Sequence, residues 1–166
     1  MATSSVFGVA LRAAGTALVL DLSDGLLPAV VHWGADCGQL SAGGYAALRE
    51  GGIAPIAPSE PDVSVRVAIL PEHTAGWFGR PGVSGSRAGT AWSPRWRVTS
   101  AELDGLAIAA TGEASAVINH GAGRLVVQAA DADAELALTL TVELTGAGIV
   151  RTRATLENLG TDIYQL

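Results

Sequence analysis

A chain of 166 residues that is 49% hydrophobic and 16% charged suits one domain, or part of a larger one. At this length a compact fold buries roughly 70% of the surface its unfolded chain exposes. So few charges argue against a charged helical bundle and against disorder, and 21 glycines favour a sheet protein with many tight turns. The net charge of −6, with all ten basic residues arginine, opposes a nucleic-acid partner, which needs clustered positive charge.

In chain order, Val6 to Leu11, Thr16 to Leu22 and Ala29 to Trp33 are predicted strands separated by Gly, Ser and Asp turn signals. Arg12 and Gly15 interrupt the apolar start and no basic segment precedes it, so no signal peptide is expected. No stretch is long and apolar enough to span a bilayer. Cys37 is the only cysteine, which rules out an internal disulfide and allows a reducing compartment. A cytoplasmic protein with no membrane partner is the expectation.

A short helix is predicted over Gly43 to Glu50, weakened by Gly43 and Gly44. Val63, Val65, Val67 and Ile69 alternate with Ser64, Arg66 and Ala68, the pattern of a strand. Pro71 to Pro94 breaks the rhythm: it has no alternation, four glycines before Ser86, and both Trp77 and Trp92. Long irregular loops are uncommon in compact domains and often carry function. Strand signals resume at Leu106 to Ala110, Ala116 to Asn119 and Arg124 to Ala129.

The plainest pattern lies between Glu135 and Thr145, where Leu136, Leu138, Leu140, Val142 and Leu144 fall on one face. After Gly146-Ala147-Gly148, Val150, Thr152, Ala154 and Leu156 alternate with Arg151, Arg153, Thr155 and Glu157, which predicts an antiparallel hairpin. Short strands at this spacing predict an all-β chain folded as a β-sandwich. Ile163 to Leu166 reads as the opening of one more strand, so the chain is expected to be truncated.

Standard catalytic patterns are absent. Gly82-Val83-Ser84-Gly85 is one residue short of a nucleophile elbow, and there is no phosphate-binding glycine loop. His32, His73 and His120 lack metal-ligand spacing and read as surface or hydrogen-bonded loop residues; no metal or other cofactor is expected. Asp131, Asp133 and Glu135 read as a solvated face, Glu102 and Asp104 as turn residues, and no carboxylate has a context that suggests a buried position. The segment from Leu70 to Arg87 combines aromatic rings, arginines and glycines, a composition suited to the apolar faces and hydroxyls of sugars. It reads equally well as a folded loop whose Trp77 and Phe78 cover the edge of the core.

Three blocks carry a family resemblance. Leu26-Leu27-Pro28-Ala29-Val30-Val31-His32-Trp33-Gly34-Ala35-Asp36 is similar to an early segment of the α-galactosidases in family 36 of the glycoside hydrolases. Gly76-Trp77-Phe78-Gly79-Arg80-Pro81-Gly82-Val83-Ser84-Gly85-Ser86-Arg87, followed by Trp92-Ser93-Pro94-Arg95-Trp96, resembles a characteristic segment of their N-terminal domain. Gly148 to Gly160 resembles the strand and turn that follow in the same family. The resemblance implies that residues 1–166 form the N-terminal β-supersandwich, incomplete at its C-terminal end, of an enzyme whose catalytic (β/α)8 barrel lies outside this chain. It also implies hydrolysis of terminal α-galactosides with retention, by two barrel carboxylates. No K-x-D-x-N segment occurs here, so no catalytic residue is assigned. The implied partners are a galactose-containing oligosaccharide, the barrel and a neighbouring subunit. Trp77 and Arg80, then Trp33 and Asp36, are the implied substrate contacts, although many relatives carry Asp where this chain has Trp77. The alternative is a free-standing carbohydrate-binding or structural module.

Overall fold

The computed structural model of the protein describes residues 7–56, 58, 64–108 and 116–166. Parts of three predicted strands, at Val6, Val63 and Ala109-Ala110, lie outside them. Two sheets pack face to face. The first has strands β1 (Phe7–Ala13), β2 (Thr16–Asp21), β3 (Ala29–Ala35) and β6 (Ala116–His120) in the order β3-β2-β1-β6, with β1 and β6 parallel. The second has β4 (Arg97–Leu103), β5 (Leu106–Ile108), β7 (Gly123–Asp131), β8 (Leu136–Leu144) and β9 (Val150–Asn158) in the order β5-β4-β7-β8-β9. The expected all-β sandwich is what the chain forms.

Period-two patterning explains why these segments pair. On β1 and β2, Phe7, Val9, Leu11, Leu18 and Leu20 point between the sheets, where they meet Leu125, Val127, Leu140, Val142 and Leu144 from β7 and β8. Burying each such side chain contributes about 1.5–3 kcal/mol. Alternate residues of the first sheet face outwards. Ala10 and Val19 pack there under Tyr45 of α1 (Ala42–Gly51), whose N-terminus is capped by the Ser41 hydroxyl accepting from Gly44 N at 3.0 Å. Gly8 is required on this face, because a Cβ at that position would overlap the Tyr45 ring. The helix predicted over 43–50 is therefore present, and its purpose is to roof the smaller sheet.

Four expectations need correction. Residues 64–67 form no strand; only Ala68 bridges to Ala29. The alternation is real but inverted, with Val65 and Val67 exposed while Arg66 turns inwards to an acidic partner. Strand β4 was missed, because a bulge between Val98 and Ser100 shifts its register and destroys the period between Val98 and the inward-facing Ala101 and Leu103. Asp131 is not solvated: it is 8% exposed and accepts from the backbone N–H groups of Arg95, Asp133 and Ala134. Ile163 to Leu166 contributes one isolated bridge, Gln165 to Ser86, with Ile163 and Leu166 left exposed.

The predicted hairpin is present in full register from Leu136↔Asn158 to Leu144↔Val150. On the inner face of its edge strand β9, Val150 and Leu156 are half-buried, whereas Thr152 and Ala154 are exposed. The first sheet thus covers β8 and not the middle of β9.

Candidate functional site

The irregular segment between Leu70 and Trp96 lies over one end of the sandwich. Its buried floor is a second apolar cluster built from Leu27, Ala68, Trp96, Ala129, Ala134, Leu136 and Leu138. Two fastenings close its base. Glu72, 7% exposed, accepts from Trp96 N at 2.8 Å, and Gly82 N donates to Pro71 O at 2.8 Å. Gly82 is dictated by space, since a Cβ there would sit 2.8 Å from Leu70 Cα. Burial pushes the Glu72 carboxyl above its usual range, against the opposing hydrogen bond from Trp96.

The far side of the loop is held by Arg87. Its guanidinium donates to Ala134 O at 3.0 Å, Asn158 Oδ1 at 2.9 Å and Asp162 O, and lies 6.0 Å from the Tyr164 ring centroid. The planar fork of arginine suits this convergence of oxygens from three segments. Arg87 then enters a two-residue hairpin with Thr90 through paired backbone bonds of 2.9 Å, with Ala88 and Gly89 both at positive φ. Tyr164 Oη donates to Ala91 O at 3.0 Å, a further tie between loop and C-terminal segment.

Between these anchors the structure brings Trp77 and Arg80 together, as the Trp77 indole N–H donates to Arg80 O at 3.0 Å. Trp77 is half-buried and its ring fills the space beside Gly79, where any side chain would collide with it. Gly76 turns the chain at φ 85°, a left-handed conformation that favours glycine. His73 Nδ1 bonds Trp77 O at 2.9 Å. Arg80 itself is exposed, and Phe78 is 83% exposed, so Phe78 does not cover the core edge.

Trp33 and Asp36 form a separate group at the end of β3. Trp33 is in register with Leu18 and so shares the face that enters the core, but on an edge strand it remains 65% exposed. Asp36 accepts from Gly38 N at 2.9 Å and pairs with Arg12 at 3.7 Å. Among the described residues no hydrogen bond or ion pair joins this group to Trp77 or Arg80. All three histidines are hydrogen-bonded, His32 to Ala35 O, His73 to Trp77 O and His120 to Asp104 at 2.8 Å, but His32 and His120 lie on β3 and β6 rather than in loops.

One polar cluster was not foreseen. Asp21, 3% exposed at the end of the otherwise apolar β2, accepts from Ser23 N at 3.0 Å, Tyr45 Oη at 3.0 Å, Arg66 Nε at 3.1 Å and Arg49 Nε at 3.2 Å. Burial opposes its ionisation; hydrogen bonding from Ser23 and the Arg66 charge outweigh that and hold its carboxyl below the usual range. Burial, then the Asp21 charge, pushes the Tyr45 hydroxyl well above the usual phenol range. Over this cluster the gap between β3 and residues 64–67 opens a groove of about 360 Å³, walled by Val30, Ile53, Val65 and Val67. An aspartate closing an apolar strand was the available sequence signal. Among the described residues no three His, Cys, Asp or Glu side chains are grouped to hold a metal ion, and no helix is long and apolar enough to cross a membrane.

No curated protein and no solved structure matches the chain. A family model described as the glycosyl hydrolase family 36 N-terminal domain matches residues 26–166, a span that holds all three resembling blocks and the whole anchored loop. The chain belongs to that family of N-terminal glycoside hydrolase domains.

Proposed function

We propose that this sandwich is the non-catalytic N-terminal part of a retaining α-galactosidase, working beside a catalytic barrel in the same polypeptide and shaping the pocket for a terminal α-galactoside. The observation that carries this reading is the loop between Leu70 and Trp96. Its backbone is fastened at Glu72, Gly82 and Arg87, yet it presents the Arg80 guanidinium to solvent with no partner among the described residues. A rigid loop with an uncommitted fork of donors suits binding of sugar hydroxyls, because little ordering remains to be done on association. Trp77 supports this from behind: its N–H holds the Arg80 backbone, so it positions the arginine and supplies an apolar wall. Trp33, exposed on β3, and Asp36 beside Arg12 are the secondary contacts. The single exposed cysteine, Cys37, accords with a reducing, cytoplasmic setting.

The test is kinetic. In the polypeptide that carries both domains, Arg80→Ala is expected to lower kcat/KM for melibiose- or raffinose-type sugars tenfold or more, about 1.4 kcal/mol of transition-state stabilisation, with thermal stability unchanged. An unaltered kcat/KM in a folded variant would leave the domain with a purely structural role.

A further inference from the structure

The geometry points to a second sugar-contacting pair on the same loop, Trp92 with His73, which takes a pyranoside by its apolar C–H face and one hydroxyl. This rests on the reading of the loop as a saccharide contact, and assigns it two residues to which no binding role was given above.

Trp92 is 62% exposed, although the backbone on either side of it is held by hydrogen bonds. The preceding carbonyl, Ala91 O, accepts from Tyr164 Oη at 3.0 Å. On the other side Pro94 is buried, Arg95 N donates to Asp131 Oδ2 at 2.6 Å and Trp96 N donates to Glu72 Oε1. Ala91 adopts φ 53°, a left-handed conformation that an alanine keeps only when its surroundings impose it. The fold therefore accepts local strain immediately before Trp92 and holds a large aromatic ring out in water. Core covering does not account for that arrangement; a partner for the ring does.

His73 supplies the polar half. Its ring centroid lies 6.0 Å from that of Trp92 with the planes inclined at 55°, so the imidazole stands beside the indole. A backbone carbonyl can only accept, hence the bond to Trp77 O places the His73 proton on Nδ1. In the neutral ring Nε2 is then an acceptor, and no described residue hydrogen-bonds it. An aromatic face with an acceptor at its rim is the combination that recognises a sugar ring: the C–H groups lie on the negatively charged π-face and an adjacent hydroxyl donates to the nitrogen. Trp77 is a poorer platform, being half-buried with its N–H already engaged.

The experiment is an NMR titration of the isotopically labelled chain with methyl-α-D-galactopyranoside, following the indole N–H of Trp33, Trp77, Trp92 and Trp96 and the His73 ring. Saturable shifts at Trp92 and His73 are expected. Trp92→Ala should weaken binding at least tenfold without altering the melting temperature. His73→Asn retains a donor for Trp77 O but removes the Nε2 acceptor, and should weaken binding about fivefold or more. Shifts confined to Trp77 and the Arg80 region overturn this inference while leaving the proposed function intact. Absence of saturable shifts from a folded chain overturns it as well. Failure of the parent reading shows elsewhere, as an unchanged kcat/KM in the Arg80→Ala enzyme.

Discussion

Removing the Asp21 carboxylate is expected to be the most damaging single truncation of a polar side chain in this protein. Its side chain is 4% exposed and receives two arginine Nε donors, a tyrosine hydroxyl and both donors of Ser23. Asp21→Ala would leave the Arg49 and Arg66 charges without their carboxylate around a void, with Arg66 still donating to Leu27 O and to the backbone O of residue 21, and Tyr45 to Phe7 O. Breaking a buried ion pair by deleting one partner costs about 3–5 kcal/mol. For a domain of this size each kcal/mol shifts the melting temperature by about 2–4 °C, so the fall should be roughly 6–20 °C. Thermal unfolding followed by circular dichroism measures it. Because the folded-state pKa lies below the ordinary value of 3.8, the stabilisation is complete above that pH and disappears as pH drops through the depressed folded value. The gap between wild type and variant should accordingly be full at pH 7 and close in acid. A loss under about 1 kcal/mol at pH 7, or a gap that widens on acidification, would show that Arg49 and Arg66 are not held by this carboxylate.

Glu72→Gln should act in the opposite direction: its carboxyl pKa is raised above 4.5, so stability falls as pH rises from 4.5 through the folded value and stays lower above it. The variant keeps an acceptor for Trp96 N and is expected to melt higher than wild type at pH 7, with no advantage below pH 4.5; equal melting at both would refute this. Arg87→Ala should cost about 2–4 kcal/mol in urea unfolding through its unpaired carbonyls, and Arg87→Lys should rescue little because an ammonium cannot span three segments. Gly82→Ala is expected to displace the loop base from Leu70, seen as exchange of the amide at position 82 faster than in the wild type, while the sheet amides stay protected.

The strands with clean alternation were legible because one face of each is buried: Leu136 to Leu144 alternates without exception between buried and half-buried. Where the sheet stops being regular, the pattern stops being readable. The bulge at Thr99 hid β4, and the attraction of Arg66 to Asp21 inverted residues 64–67, since a paired charge outranked the exposure of two valines. For the candidate site, aromatic and glycine composition singled out the loop. Which ring faces outwards was not legible, as it depends on hydrogen bonds between residues far apart in sequence, such as Tyr164 to Ala91. The carboxylates were misread for a similar reason. Glu72 and Asp131 look like ordinary surface acids until the backbone of residues 95 and 96 is laid against them.

The fastenings of the loop also bear on how this domain can change. Everything that fastens the stem, Glu72 to the Trp96 amide, Gly82 to Pro71 O and Arg87 to the carbonyls around Asn158 and Asp162, lies outside residues 74–81. That short stretch can be lengthened, shortened or rewritten with little penalty to the sandwich, because the costs of closing it have already been met by the stem. Selection can therefore retune the tip, residues 74–81, while the scaffold beneath it stays constant.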